Sequence, residues 1–377
     1  MKSAIVDGGT AAIICNTVRR AQAVFTALKP YFPDTASDGA PELDLLHARY
    51  PFDEREAREK RTLLRFGKQG ATVDRGRGAE EVRRPRRAVL VSTQIIEQSL
   101  DLDFDLMVTD LAPADLVLQR AGRLQRHDRG AARPERLRPA TLWICGPREG
   151  DDGVPVFDRG SEYVYFAHVL LRSWLALRPC HEIAIPGDIE LLIEAVYADR
   201  SPDHLDPVLR ERWIDTLRQQ QVDIADEERE ANKRLIQLPF SEGWLHEVQG
   251  AAREEDRPEL HPALQMMTRL VDPSVSVVLL DAVDGQPCLP DGRSVNPSRK
   301  PDLELTGALL RRSLSISDRR VVHRLLEEPV PGGWQRSPLL QNHRLVELSR
   351  HGGKRIGKYT IRLDPELGLI ITEEDEC

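Results

Sequence analysis

Residues 87–126 read RAVLVSTQIIEQSLDLDFDLMVTDLAPADLVLQRAGRLQR, and the rest of the chain is organised around them. Two short apolar runs, 88–91 and 106–108, have the length and the β-branched residues of buried parallel strands. Polar residues follow each run: Ser92, Thr93 and Gln94 after the first, and Thr109 and Asp110 after the second. Because ligands of open α/β sheets bind beyond the carboxyl ends of the strands, these residues are candidates for a ligand site.

A helix with an arginine-rich end is predicted after the second run, with Asp115 as its N-cap. It is expected to carry Gln119, Arg120, Arg123 and Arg126. The i, i+3 and i, i+4 spacings place Gln119, Arg123 and Arg126 roughly on one face of that helix. A charged helix face is usually only solvated, but this one belongs to a segment whose strands are too apolar for the surface. The pattern therefore favours a functional site.

Strands and helices alternate from residue 11 to residue 145, which predicts a parallel sheet covered by helices. Asn16 or Thr17 is expected to cap the first helix, and Gly67 suits the C-cap of the second. The further elements predicted for this first domain, residues 1–145, are a linker at 1–10, strands at 11–15, 43–47 and 141–145, helices at 18–28 and 52–66, and a loop at 69–86.

The composition changes at residue 146 and predicts three further parts of the chain. Gly, Pro and Asp make residues 146–160 a linker, residues 161–257 read as a helical region, and residues 258–377 read as a small α+β domain. The predicted elements are helices at 163–177, at 189–197 capped by Asp188, and from Asp206 towards Leu235 with a break midway, an element of either type at 319–328, a strand at 275–280, a loop at 287–301, and a terminal hairpin of strands 359–363 and 367–372.

Charge is distributed unevenly along the 377 residues. The whole chain has a formal net charge of −8, yet residues 49–138 contain 20 Lys and Arg against 15 Asp and Glu. A basic surface on an acidic protein suits a groove for nucleic acid, although an arginine-rich composition alone gives the same count. The five cysteines are scattered, which is typical of reduced thiols in a cytoplasmic protein. No apolar run is long enough to span a membrane, and no signal peptide is predicted.

Residues 87–126 resemble motifs V and VI of superfamily 2 helicases, which lie in the second of two RecA-like domains. QRAGRLQR, residues 119–126, matches the QRxGRxxR pattern of motif VI. Residues 93–127 resemble, nearly residue for residue, the CRISPR-associated helicase–nuclease of type I systems. The resemblance implies a RecA-like parallel sheet with helices on both faces. It also implies an ATP-dependent, single-strand DNA translocase that unwinds and degrades invader DNA, recruited by a crRNA-guided surveillance complex.

The resemblance also implies roles for individual residues. Arg123 and Arg126 would reach the γ-phosphate of ATP as arginine fingers, and Gln119 would orient that phosphate or the finger. Asp101 would meet the ribose or couple motif V to the nucleotide. Arg120 is expected to form an internal ion pair, with Asp110 as the candidate partner. The residues expected to contact single-stranded DNA are Asn16, Thr17, His47, Arg49, Thr93 and Gln94, although His47 also reads as a plain strand-end histidine.

Several parts of a complete motor are not found in this sequence. It has no phosphate loop with its lysine and no Asp-Glu-x-Asp/His box for Mg²⁺. His127-Asp128 is interpreted as a coincidence rather than a metal site, so no protein-bound metal is predicted. The chain is therefore expected to match the C-terminal half of the helicase–nuclease, with the main ATP and Mg²⁺ ligands on the missing N-terminal half. A helicase of another pathway, or a truncated non-catalytic DNA-binding module, are the alternatives.

Overall fold

The computed structural model describes residues 1–74, 78–97, 100–232, 273–349 and 353–373. The chain divides into two compact units: one contains residues 1–150, 155–200 and 273–377, and the other contains residues 151–154 and 201–272. The predicted boundary at residue 257 lies outside the described residues, and the division into domains stays a prediction. The elements below are numbered over the described residues.

The first 200 residues form a parallel sheet with helices on both of its faces. Its five strands lie in the order β2-β5-β1-β6-β7, and every neighbouring pair is parallel. The strands of this region are β1 (Gly9–Ile14), β2 (Leu43–Leu46), β3 (Thr72–Asp74), β4 (Ala79–Glu81), β5 (Arg87–Ser92), β6 (Leu106–Asp110), β7 (Thr141–Cys145), β8 (Arg148–Glu149) and β9 (Pro155–Val156). The predicted RecA-like fold class is confirmed.

The apolar composition of β1 explains why this strand lies in the centre of the sheet. All six of its residues are buried. Successive side chains point to opposite faces of a sheet, so Ile13 packs into one core with Phe25, while Ile14 packs into another with Phe66. Phe25 and Phe66 come from different helices, which therefore cover opposite faces. Each such buried side chain contributes roughly 1.5–3 kcal/mol.

Most helices of the described residues correspond to predicted ones, but the helix at Leu303–Arg311 was not predicted. The helices are α1 (Val18–Leu28), α2 (Phe52–Phe66), α3 (Ala114–Ala121), α4 (Arg159–Val164), α5 (Ala167–Leu177), α6 (Ile189–Tyr197), α7 (Pro207–Asn232), α8 (Leu303–Arg311) and α9 (Arg319–Glu327). Thr17 caps α1 by accepting a hydrogen bond from the N–H of Arg20, and Gly67 is the C-cap of α2, as predicted.

Four local predictions are wrong. Residues 1–10 are not only a linker, because β1 begins at Gly9 and Ile5 is fully buried in the core. The loop at 69–86 contains the antiparallel pair β3–β4. The linker at 146–160 contains the pair β8–β9. The helix predicted at 163–177 is interrupted after Val164, where α4 ends and α5 begins at Ala167.

Two further differences concern helix starts. Pro113, not Asp115, occupies the N-cap position of α3. Asp115 instead accepts a hydrogen bond from the hydroxyl of Tyr197. Asp188 occupies the N-cap position of α6 without a capping hydrogen bond, because its carboxylate accepts from the N–H of Ala184.

The C-terminal part of the first unit is an α+β arrangement. In its four-stranded sheet, β10 pairs with β11 and β12 antiparallel and with β13 parallel, and a second sheet has the order β14-β15-β16. Helix α9 packs three fully buried residues, Val321, Val322 and Leu325, into the core shared by these sheets. The predicted terminal hairpin is confirmed as β15–β16. The strands are β10 (Val275–Val283), β11 (Gln286–Cys288), β12 (Ser313–Ile316), β13 (His343–Ser349), β14 (Lys354–Ile356), β15 (Tyr359–Asp364) and β16 (Gly368–Glu373).

The described part of the second unit is mainly α7. Asp206 begins this helix, since its carboxylate accepts hydrogen bonds from the N–H groups of Val208 and Leu209. The predicted break does not occur between Pro207 and Asn232, and the expected continuation to Leu235 lies outside the described residues. No helix among the residues that the structure describes is long and apolar enough to cross a membrane.

Candidate functional site

The carboxyl ends of β1, β5 and β6 meet at one edge of the sheet, as their parallel order requires. The N–H of Cys15 donates to the carbonyl of Ser92 at 2.8 Å. The N–H of Asn16 donates to the Asp110 carboxylate at 3.1 Å, and the Gln94 amide donates to the carbonyl of Asn16 at 2.8 Å. The polar residues that follow these strands therefore form one connected cluster.

Arg120 is the centre of that cluster and is fully buried. Its Nε lies 2.7 Å from Glu97 Oε1, and its Nη1 donates to the Thr109 hydroxyl at 2.7 Å and to the Asp110 carbonyl at 3.1 Å. Asn16 Oδ1 accepts from the same guanidinium at 3.3 Å. Burial raises the pKa of Glu97, and the positive charge of Arg120 opposes that rise. The pair is a structural link between motifs V and VI.

An internal ion pair was expected for Arg120, but the predicted partner is wrong. The Asp110 carboxylate is occupied by Arg20, whose Nε lies 2.6 Å from Asp110 Oδ2. Glu97 pairs with Arg120 instead of Asp110, because the turn after β5 brings Glu97 beneath α3. No spacing pattern within residues 87–126 distinguishes these two carboxylates.

The two candidate arginine fingers do not lie on a helix, contrary to the prediction. Helix α3 ends at Ala121, and Gly122 is its C-cap. The chain then runs beside Phe104: the N–H of Phe104 donates to the carbonyl of Arg123, and the N–H of Gln125 donates to the carbonyl of Phe104. These backbone bonds to a neighbouring segment replace those that would have continued the helix. The predicted helical face formed by residues 119, 123 and 126 therefore does not exist.

Arg123 and Arg126 are instead attached to two points of the segment after β5. Arg123 donates from Nη2 to the Glu97 carbonyl at 2.8 Å and from Nε to the Ile96 carbonyl at 3.4 Å, and neither bond uses Nη1. Arg126 Nε lies 2.7 Å from Asp101 Oδ1. Burial lowers the pKa of Arg123, and the neighbouring charge of Arg126 lowers it further.

Asp101 also contacts a residue to which no role was assigned. His127 Nε2 lies 3.1 and 3.2 Å from the two Asp101 oxygens. The side chains of Arg126 and Asp101 are 41% and 53% exposed, so a ligand can reach both. Gln119 is exposed on α3. The structure thus brings Asp101 and Arg126 together, and His127, which was interpreted only as part of a coincidental His-Asp pair, joins them.

The candidate DNA contacts near α1 differ in accessibility. Thr17 is half-buried at the helix N-terminus. Asn16 is buried and donates to the Leu111 carbonyl at 2.7 Å and to the Ser161 hydroxyl at 2.9 Å. Thr93 is 5% exposed at the end of β5, and Gln94 is half-buried. Asn16 therefore has a role inside the fold, and DNA contact by these four residues stays a prediction.

His47 is fully buried and contacts the turn of the terminal hairpin. Its Nε2 lies 3.0 Å from the carbonyl of Leu367, and its ring stacks on Tyr50 with centroids 4.4 Å apart. The Tyr50 hydroxyl donates to the Glu366 carbonyl at 2.6 Å, and the N–H of Leu369 donates to the Arg49 carbonyl. Burial lowers the pKa of His47 to about 3, so its imidazole is neutral in the fold.

Arg49 pairs with a residue far along the chain. Its Nη2 lies 3.0 Å from Asp318 Oδ2, and 18% of its side chain is exposed. Both His47 and Arg49 thus have partners in the C-terminal part of the chain. DNA contact by either residue is untested.

A buried ionic network beside the site was missed from the sequence. Asp103 and Asp105 are fully buried, and the ion-pair partners of one or both are Arg84, Arg129 and Arg133. Asp101, by contrast, faces outward. The alternating aspartates of Asp-Leu-Asp-Phe-Asp were visible in the sequence. The arginines that neutralise Asp103 and Asp105 come from outside that segment.

Comparisons with known proteins place these features in a family. Residues 7–129 match the family model described as CRISPR-associated nuclease/helicase Cas3, C-terminal, and residues 269–369 match the Cas3 C-terminal domain. The CRISPR-associated endonuclease/helicase Cas3 of Thermus thermophilus is 38% identical over 86% of this chain and 34% of its own length. The chain thus spans about a third of the length of this curated relative.

Solved structures agree with these matches. A crystal structure of a CRISPR-associated protein is similar with TM-score 0.87 and 52% identity, over 99% of this chain and 39% of that one. T. fusca Cas3 with ATP has TM-score 0.73 and 30% identity, over 98% and 40%. A chain of a CRISPR RNA-guided surveillance complex, pre-nicking, has TM-score 0.66 and 30% identity, over 96% and 40%. With its RecA-like sheet, its joined motifs V and VI and its C-terminal sheets, this chain belongs to the Cas3 family of CRISPR-associated nuclease/helicases and matches their C-terminal half.

Proposed function

We propose that this chain supplies the second RecA-like domain and the C-terminal domain of an ATP-dependent single-strand DNA translocase in type I CRISPR defence. One observation carries the proposal. Arg120, Arg123 and Arg126 attach motif VI to three points of motif V, at the Glu97 carboxylate, the Ile96 and Glu97 carbonyls, and the Asp101 carboxylate. A displacement at the DNA-facing end of β5 is therefore transmitted directly to the candidate nucleotide residues.

The exposed side of this junction has the chemistry that a nucleotide requires. Guanidinium groups are planar and permanently charged, and they match phosphate oxygens bidentately. In the proposed role Arg123 and Arg126 stabilise the charge that develops on the γ-phosphate, Gln119 orients that phosphate, and Asp101 meets the ribose. Arg126 must leave Asp101 to reach a phosphate, and His127 remains in contact with the carboxylate when it does. The phosphate loop and the Mg²⁺ ligands belong, in this proposal, to a partner RecA-like domain.

The proposed DNA path follows the carboxyl edge of the sheet. Thr93 at the end of β5 and Thr17 at the N-terminus of α1 lie on loops that share hydrogen bonds, so both can contact successive phosphates. Gln94 connects the two loops through the carbonyl of Asn16. Arg49 adds a partly exposed positive charge. The similarity to a chain of a CRISPR RNA-guided surveillance complex supports a complex of that kind as the recruiting partner.

The test is to reassemble the motor. We mix this chain with a polypeptide that carries the phosphate-loop domain and measure ATP hydrolysis with and without single-stranded DNA. Arg123→Ala is expected to leave ATP and DNA affinity nearly unchanged while turnover falls on the order of 10³-fold, because a finger acts on charge that develops in the transition state. Arg311→Ala, an exposed arginine at the end of α8, is the matched control and should retain turnover.

Three outcomes would contradict the proposal. Wild-type turnover by a stably folded Arg123→Ala variant would remove this residue from the mechanism. Stimulation by single-stranded RNA but not by DNA would favour a superfamily 2 helicase of another pathway. If the reassembled protein binds DNA but hydrolyses no ATP, the chain is better described as a DNA-binding module.

A further inference from the structure

An exposed tyrosine and an arginine from the C-terminal part of the chain meet on the surface of the first unit. Tyr163 lies in α4 and is 51% exposed. Arg319 is the first residue of α9, and its Cζ lies 5.0 Å from the centroid of the Tyr163 ring. An aromatic ring that stays half in water while holding a cation at its face is a common feature of surfaces that bind bases.

The helix that carries Tyr163 also touches the N-terminus of α1. A Cβ atom placed on Gly160 would lie 3.1 Å from Cγ2 of Thr17, so the backbone of α4 lies directly against this cap. Tyr163 follows Gly160 by three residues, which places both on the same side of α4, about 4.5 Å apart along its axis. Thr17 thus lies beside Gly160, near the start of the helix that carries Tyr163, and Tyr163 contacts Arg319.

Two arginines beside Tyr163 and Arg319 share one carboxylate. Arg49 and Arg320 share the carboxylate of Asp318, at 3.0 and 2.7 Å. The pKa of Arg49 is lowered chiefly by burial, and the positive charges of Arg320 and Arg19 lower it further. Two guanidinium groups therefore share one carboxylate, and the positive charge of Arg19 also acts on Arg49. A phosphate group would relieve this repulsion.

We infer that Tyr163 and Arg319 form a subsite for one nucleotide of single-stranded DNA, which continues the strand from the α1 cap onto α9. The base stacks on the exposed part of the Tyr163 ring, and Arg319 holds the adjacent phosphate. Such stacking tolerates any sequence, because every base has a π-face. The inference rests on the proposed function and adds a contact in the C-terminal part of the chain.

A purely structural role for the same pair has different consequences. A cation–π contact that only fastens α9 to α4 would contribute to stability and leave DNA affinity unchanged. The two roles are therefore separated by measuring DNA binding and thermal unfolding on the same variants.

The experiment uses the purified chain and a fluorescent oligothymidylate, with anisotropy measured over a range of salt concentrations. Tyr163→Ala is expected to weaken binding at least about fivefold, while Tyr163→Phe, which keeps the ring, stays close to wild type. Arg319→Ala should weaken binding and reduce the slope of log affinity against log salt by about one. The matched controls are Tyr31→Ala, a tyrosine that is 56% exposed, and Arg311→Ala; both should bind as the wild type does.

A second measurement needs no substitution. An oligonucleotide containing 5-iododeoxyuridine, irradiated with the wild-type chain, should cross-link to the peptide that contains Tyr163. The inference is overturned if cross-links form only elsewhere, if Tyr163→Ala binds within twofold of wild type, or if the wild-type chain binds no oligothymidylate. ATP hydrolysis by the reassembled motor tests the proposed function separately, so a failure of the subsite is distinguishable from a failure of the motor.

Discussion

Acid should destabilise the first unit through His47. This side chain is fully buried, stacked on Tyr50 and bonded to the Leu367 carbonyl. Its pKa falls from 6.5 to about 3, chiefly because burial disfavours the charged form, and the positive charges of Arg49 and Arg58 lower it further. Because the pKa of His47 is lower in the fold than in the unfolded chain, this residue contributes its full stability above pH 6.5. That contribution is lost as pH falls from about 6.5 towards 3, because only the unfolded chain accepts the proton.

The size of this loss follows from the two pKa values. One pKa unit corresponds to about 1.4 kcal/mol. With a pKa of 6.5 in the unfolded chain and about 3 in the fold, linkage predicts that the free energy of unfolding falls by about 2 kcal/mol from pH 7 to pH 5 through this residue alone. His47→Gln removes the titrating group, so its pH dependence over this range should be flatter by the same amount.

Urea unfolding followed by circular dichroism at pH 7 and pH 5 measures the effect. The carboxylates titrate equally in both proteins, so the difference between wild type and His47→Gln isolates the contribution of the histidine. His323→Gln, at an exposed position on α9, is the control and should keep the wild-type pH dependence. Equal pH dependence in wild type and His47→Gln would show that His47 is not held neutral in the fold, and the reasoning would be wrong.

Three further outcomes are expected. Arg120→Met should lower the free energy of unfolding by about 3–5 kcal/mol in urea titrations, because it leaves the buried Glu97 carboxylate without its partner; adding Glu97→Gln should recover part of that loss, and no recovery would argue against the pair. Arg123→Lys should reduce turnover of the reassembled motor nearly as much as Arg123→Ala, because an ammonium group cannot reproduce the bidentate fork; full activity of the lysine variant would refute this. DNA affinity should fall steeply between low and moderate salt in anisotropy titrations, since phosphate contacts release counterions; an affinity independent of salt would exclude the basic surface as the binding site.

The parallel sheet of this protein is predictable from local sequence. The strands at 88–91 and 106–108 are continuous apolar runs, and such runs are stable only when both faces of a strand are buried. Caps such as Thr17 and Gly67 act within three or four residues, so they too are readable from the chain. The two motifs within residues 93–127 indicated the family for the same reason, because they lie in one contiguous stretch.

The partners of the site residues depend on long-range packing. Arg123 leaves the predicted helical face because Phe104, which precedes α3 in the chain, offers backbone bonds that compete with continuation of α3. Arg120 pairs with Glu97 rather than Asp110 because Arg20 already occupies Asp110.

His47 shows the same limit over a greater distance. Its partner, the Leu367 carbonyl, is 320 residues away in sequence. Hydrophobic periodicity and capping are properties of neighbouring residues, and the free energies that favour them are local. The choice among several carboxylates or carbonyls of similar chemistry depends on which one the packed fold brings within hydrogen-bonding distance, and only the tertiary structure specifies that.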